Sequence, residues 1–162
     1  MREPGEWTHL DADQRARMVD VGSKAATVRE AEAEALVLYP DDAYARILSG
    51  SLPKGGIVEP ARLAGIMAAK RASEWIPLCH PLPLDAVEVA VDPLSDGRPG
   101  LRVRCCARAT ARTGVEMEAM VGAAAAALTL YDMTKSLARG ARIEGLRLLR
   151  KSGGKSGAWQ AQ

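Results

Sequence analysis

Residues 115–138, VEMEAMVGAAAAALTLYDMTKSLA, set the strongest limit on what this chain can fold into. Ala, Glu, Leu and Met favour helix. Val115, Ala119, Gly122, Ala126, Leu130, Met133 and Leu137 trace one stripe at helical spacing. A helix of about six turns is predicted, ended by Gly140. Its side chains are so small that its backbone must lie close to whatever it packs on. Each of them buries little area, so a subunit interface is an expected supplement to the core. The shortage is general: aromatic residues make up 4% of the chain and Phe is absent, although hydrophobic residues reach 48%. Leu, Val, Ile, Met and a great deal of Ala must therefore build the interior. A chain of 162 residues suffices for one domain of this kind without disulfides.

Strands are signalled by alternation. In LRVRCCARA, 101–109, Leu101, Val103, Cys105, Ala107 and Ala109 oppose Arg102, Arg104 and Arg108. LDAVEVAV, 84–91, puts Val87, Val89 and Val91 on one face, and DPLSDGRPG between the two runs is long enough to close a hairpin. VREAEAEALVLY, 28–39, is rich in helix formers, yet its Glu/Ala alternation has period two and predicts a half-exposed strand. RIEGLRLLR, 142–150, reads as the last strand. Shorter helices are predicted at 41–49, which opens with Asp41 and Asp42, and at 60–72, where Leu63, Ile66, Met67 and Lys70 share a face. Residues 1–17 read as a loose arm and 156–162 as a polar tail. The expected architecture is α+β, with helices on one face of a mainly antiparallel sheet.

The formal charge is +2, distributed unevenly: residues 1–80 carry 10 basic and 12 acidic groups, residues 81–162 carry 12 and 8. A small anion suits that balance better than a long polyanion. The Arg102–Arg104–Arg108 face lacks the interleaved aromatics of a nucleic-acid surface, so no nucleic-acid partner is expected. The apolar run at 119–131 is too short to span a bilayer, and the start has no signal-peptide core. Three cysteines at 79, 105 and 106 fit a reducing compartment. A cytoplasmic protein without membrane attachment is expected.

Five short stretches carry candidate chemistry. In PLCHPLPL, 77–84, three prolines hold His80 in a stiff, extended segment. His80 can act as acid, base or phosphate donor. Cys79 beside it is a possible nucleophile, but adjacent residues of an extended chain point apart, which favours a buried structural thiol. A metal is not expected, since no second ligand stands at useful spacing from these two. KSGGKSG, 151–157, fails as a P-loop because position 149 is Leu and no helix follows. It remains either a phosphate cradle, with Lys151 and Lys155 beside converging backbone N–H groups, or a flexible basic tail. Lys54 of LPKGG stands in a stiffened glycine loop, and by itself could be merely solvated, as Lys24 is expected to be. In YDMTK, 131–135, Asp132 and Lys135 share a helix face. They form either a surface ion pair or a proton-transfer pair in which Lys135 keeps Asp132 ionised. Glu116 and Glu118 of TGVEMEAM point to different sides of the long helix. Glu118 and Asp132 lie about 21 Å apart along it, so either a site takes one acid from another chain or the two serve opposite ends of a larger arrangement; both point to an oligomer.

Together MVDVGSKAATVREA, LCHPLPL, TGVEMEAM, YDMTK and KSGGKSG, in this order, resemble the molybdenum cofactor biosynthesis protein C family from Met18 to Gly157. One departure is Gly22, where the family more often carries Ser; it touches no residue assigned below. The members of this family are cyclic pyranopterin monophosphate synthases, lyases that convert a cyclised dihydro-GTP to the pyranopterin and release pyrophosphate. The resemblance implies a ferredoxin-like α+β fold, no cofactor, and a homohexamer, a trimer of dimers, with pockets at the dimer interface. Carried over by motif, Asp132 is the catalytic aspartate with Lys135 beside it, and Lys54 and Lys151 are further essential lysines. Leu78, Cys79, His80, Met117 and Glu118 form the implied substrate-binding strip.

Overall fold

A computed structural model describes residues 9–11, 13–49, 56–155 and 157–162. The elements run β1 (Thr27–Leu38), α1 (Asp41–Leu48), α2 (Val58–Ala69), α3 (Ala72–Trp75), β2 (Ala86–Pro93), β3 (Gly100–Ala111), α4 (Glu116–Thr134), β4 (Arg142–Ser152) and β5 (Trp159–Gln160). The strands form one antiparallel sheet in the order β2-β3-β1-β4-β5. Its first four strands and the intervening helices have the βαββαβ ferredoxin-like topology. The segment 28–39, ambiguous by composition, is the central strand β1. Period two outweighs helix propensity here because Ala31, Ala33, Ala35 and Val37 all fill the core. The tail after Lys155 is not wholly irregular: β5 folds back on β4, pairing Lys151 with Trp159, and Ala161 N–H donates to Leu149 O at 2.8 Å. A two-residue pairing leaves no periodic trace in sequence.

Helix α4 lies across the sheet with Ala119, Ala123, Ala126, Ala127 and Leu130 in the main core. Val121 and Ala125 meet Ala68 and Ala72 on its other side. The closeness expected of so small a helix is real: a Cβ on Gly122 would lie 2.5 Å from Cys105 Sγ, and one on Gly65 would lie 2.9 Å from the Gly122 carbonyl oxygen. The helix stops at Thr134 rather than running to Leu137 and Gly140. The N–H groups of Leu137 and Ala138 both turn back to the Thr134 carbonyl, closing a tight loop. The stripe on α2 also differs from its reading. Leu63 and Met67 are 59% and 46% exposed, while Ala61, Gly65, Ala68 and Ala69 are buried. Small residues win the inner face because α4 is too near to admit Leu.

The other sheet face is a ladder of opposite charges. Arg147 and Arg102 reach the buried Glu34 at 2.9 and 3.4 Å, and Arg104 reaches Asp92 at 3.1 Å. Arg150 bonds Glu30 and Glu32 at 2.6 and 2.7 Å. Two of the arginines that alternate along β3, Arg102 and Arg104, thus meet carboxylates of neighbouring strands instead of forming a free basic stripe. Among the described residues no helix is long and apolar enough to cross a membrane.

Candidate functional site

Two adjoining clefts open at the end of the sheet where β1 begins and where β3 and β4 finish. One has a volume of about 630 Å³ and the other about 640 Å³, both within the range of small-molecule sites. Lys24, Thr113, Gly114 and Glu116 border both.

The first cleft is cationic. Lys24, Arg29, Arg112, Lys151 and Lys155 line it, against the carboxylates of Glu30 and Glu116. Both acids are already engaged: Glu30 by Arg150 at 2.6 Å, and Glu116 by Lys151 at 2.8 Å. Among the described residues, Lys24, Arg29, Arg112 and Lys155 have no carboxylate partner, so the cleft carries an uncompensated positive charge suited to a multiply charged anion. The Ser-Gly-Gly turn after Lys151 makes this wall possible. Gly153 and Gly154 have φ of 94° and 71°, and a Cβ on them would fall on the Val28 carbonyl oxygen and on Arg29 Nη1. Only glycine lets the end of β4 lie against Arg29 in this way. The N-terminus of α4, whose N-cap Val115 makes no side-chain cap hydrogen bond among the described residues, enters the same cleft through Val115 and Glu116.

The second cleft is mainly apolar. Ile76, Pro77, Leu78, Cys79 and His80 form one wall, Val19 and Val21 another, and Met117 and Glu116 come from α4. The proline-rich stretch before β2 is irregular, with Cys79 N–H donating to Ile76 O at 3.0 Å. Cys79 Sγ lies 3.7 Å from Glu118 Oε1. Burial, reinforced by the charge of Glu118, pushes the Cys79 thiol up to about 11. It is therefore a neutral thiol at physiological pH rather than a nucleophilic thiolate.

Glu118 is only 3% exposed and its Oε2 is buried without a partner among the described residues. Burial raises its carboxyl above the usual range. It meets the apolar cleft only through Cys79; the carboxylate that borders both clefts is Glu116. Because the folded chain holds the Glu118 proton more tightly than the unfolded one, stability falls as pH rises above the ordinary value of 4.5 toward the raised one. Glu118→Gln keeps an oxygen for the Cys79 thiol and removes that dependence. Its melting temperature should exceed the wild type's at pH 8, with the advantage gone at pH 4. Thermal melts at the two pH values test this, and equal differences at both would refute it.

The residues singled out in the sequence thus divide. Leu78, Cys79, His80 and Met117 line the apolar cleft, Lys151 lines the cationic one, and Glu118 stands behind Cys79. Asp132 and Lys135 belong to neither cleft. They sit at the far end of α4, paired at 2.6 Å with both side chains more than half exposed. The hydrogen bond to Asp132 raises the Lys135 ammonium. Lys54 lies outside the described residues. Lys24, expected to be merely solvated, instead borders both clefts. Arg29 and Arg112 were equally invisible in sequence: each is an isolated cation whose place follows only from strand pairing.

The family model described as MoaC matches residues 18–154. Proteins named cyclic pyranopterin monophosphate synthase from Brucella ovis, Brucella melitensis and Brucella suis are each 52% identical over 155 residues, covering 96% of this chain and 93% of theirs.

Proposed function

The chain belongs to the MoaC family, and we propose that it is a cyclic pyranopterin monophosphate synthase whose two adjoining clefts hold the two halves of its substrate. It is a lyase of molybdenum cofactor biosynthesis, converting a cyclised dihydro-GTP to the pyranopterin with release of pyrophosphate. The observation that carries the assignment to these clefts is their junction. An uncompensated cationic cleft meets an apolar one at Lys24 and Glu116, matching a molecule with a triphosphate at one end and a ring system at the other.

In this reading Lys151 and its neighbours neutralise the charge that grows on the departing pyrophosphate, the step where fixed positive groups favour the transition state most. Leu78 and Met117 pack the rings, and His80, held by its prolines, hydrogen-bonds the substrate. Lys54 is the second essential lysine. Asp132 is the principal proton carrier; the ammonium of Lys135, 2.6 Å away, favours its carboxylate form. Since α4 sets Asp132 about 21 Å from Glu118, each site borrows Asp132 and Lys135 from another copy of the chain. The apolar surface formed by Leu63, Met67, Trp75 and Leu128, each 46–59% exposed, supports an assembly, here a hexamer built as a trimer of dimers. Three free thiols support the cytoplasm as its compartment.

The direct test is incubation of the full chain with cyclised dihydro-GTP. Pyrophosphate and cyclic pyranopterin monophosphate should appear in equal amounts, and the triphosphate should raise the melting temperature where a short RNA does not. A wild-type chain that releases neither product would end this reading.

A further inference from the structure

Residues 9–21 do more than lead into the domain. Leu10 and Ala16 form an antiparallel bridge, and Asp11 N–H donates to Arg15 O at 2.9 Å. The Asp11 carboxylate closes the turn by accepting the N–H groups of Asp13 and Arg15 at 2.9 and 2.8 Å. Gln14 takes a left-handed φ of 61° within it, a conformation unfavourable for a non-glycine residue that these bonds offset. Arg17 N–H donates to His9 O at 2.9 Å, tying the backbone of His9 to the strand of chain that continues into Val19 and Val21. His9, Val19 and Val21 all line the apolar cleft, where His80 enters from a different element. The His9 side chain is exposed, and among the described residues its imidazole has no hydrogen-bond partner.

We propose that the residues flanking this turn, His9, Val19 and Val21, are a wall of the ring-binding cleft and that His9 hydrogen-bonds the ring edge of the cyclised dihydro-GTP. The inference rests on the synthase reading above and adds a recognition residue from outside its motifs. The chemistry is complementary: a neutral imidazole offers one donor and one acceptor, and a guanine-derived ring edge presents both. Being in the apolar cleft rather than the cationic one, His9 contributes to binding of the rings and not of the phosphates.

The test uses full-length His9→Ala, His9→Gln and Asp11→Ala, with turnover of cyclised dihydro-GTP and inhibition by inorganic tripolyphosphate measured for each. His9→Ala should raise KM about tenfold, the loss of one good hydrogen bond, with kcat within about twofold and tripolyphosphate inhibition unchanged. His9→Gln should recover part of the KM, and Asp11→Ala should reproduce the His9→Ala pattern more weakly. Unchanged KM in an active His9→Ala enzyme would overturn the proposal, as would an equal loss of tripolyphosphate affinity. Absence of turnover in the wild type would instead bring down the synthase reading, and this inference with it.

Discussion

Asp132→Asn is expected to lower pyranopterin formation by about a thousandfold or more, within the range that a positioned acid or base supplies. The substitution keeps the shape of the side chain and a partner for Lys135, whose ammonium lies 2.6 Å from Oδ1, but removes the basic oxygen. Asp132 is exposed at the end of α4, so its loss should not disturb the core. The variant should therefore assemble normally and bind cyclised dihydro-GTP with nearly wild-type affinity. Product and pyrophosphate release, read beside sedimentation and calorimetric binding, decide the matter. Near-normal turnover would overturn the assignment of Asp132. Loss of assembly would make it a structural residue instead.

Co-expression of Asp132→Asn with Lys151→Ala chains should restore activity that neither variant has alone. Lys151 stands in the cationic cleft, where it bonds Glu116 at 2.8 Å, and Asp132 sits near the opposite end of the same helix. When a site takes Lys151 from one copy and Asp132 from its neighbour, a mixed pair contains one doubly damaged site and one intact site. Random pairing then gives about a quarter of all sites wild-type function, the arithmetic of a two-fold interface. Lys151→Ala by itself should weaken triphosphate binding and lose about a hundredfold or more in turnover, as removal of one charge-stabilising donor does. The readout is pyrophosphate release per chain in separated mixed assemblies. No recovery would place both residues in one chain's site and refute the sharing.

Most of the fold is written locally. Alternation in β3 and β1 assigns their inner faces, because a strand's side chains have a fixed period of two and Cys105 and Ala33 had to point the same way as their neighbours two residues on. The distance between Glu118 and Asp132 was equally legible, since a helix has a fixed rise. The family resemblance singled out Leu78, Cys79, His80, Met117 and Glu118 as one strip and Lys151 with Asp132, Lys135 and Lys54; of these, Leu78, Cys79, His80, Met117 and Lys151 line the two clefts. What the sequence could not settle is how elements are turned and where distant ones meet. Glu116 and Glu118 differ by two helical positions, and packing of α4 against the sheet decides that the first borders the clefts and the second is buried behind Cys79. The same closeness of α2 and α4 turned Leu63 and Met67 outward. Lys24, Arg29 and Arg112 join Lys151 and Lys155 only because antiparallel pairing sets Thr27 opposite Ala111 and Glu30 opposite Ser152. A local pattern specifies which face of a strand is inside; it carries no record of which charges, more than eighty residues apart, the register will set side by side.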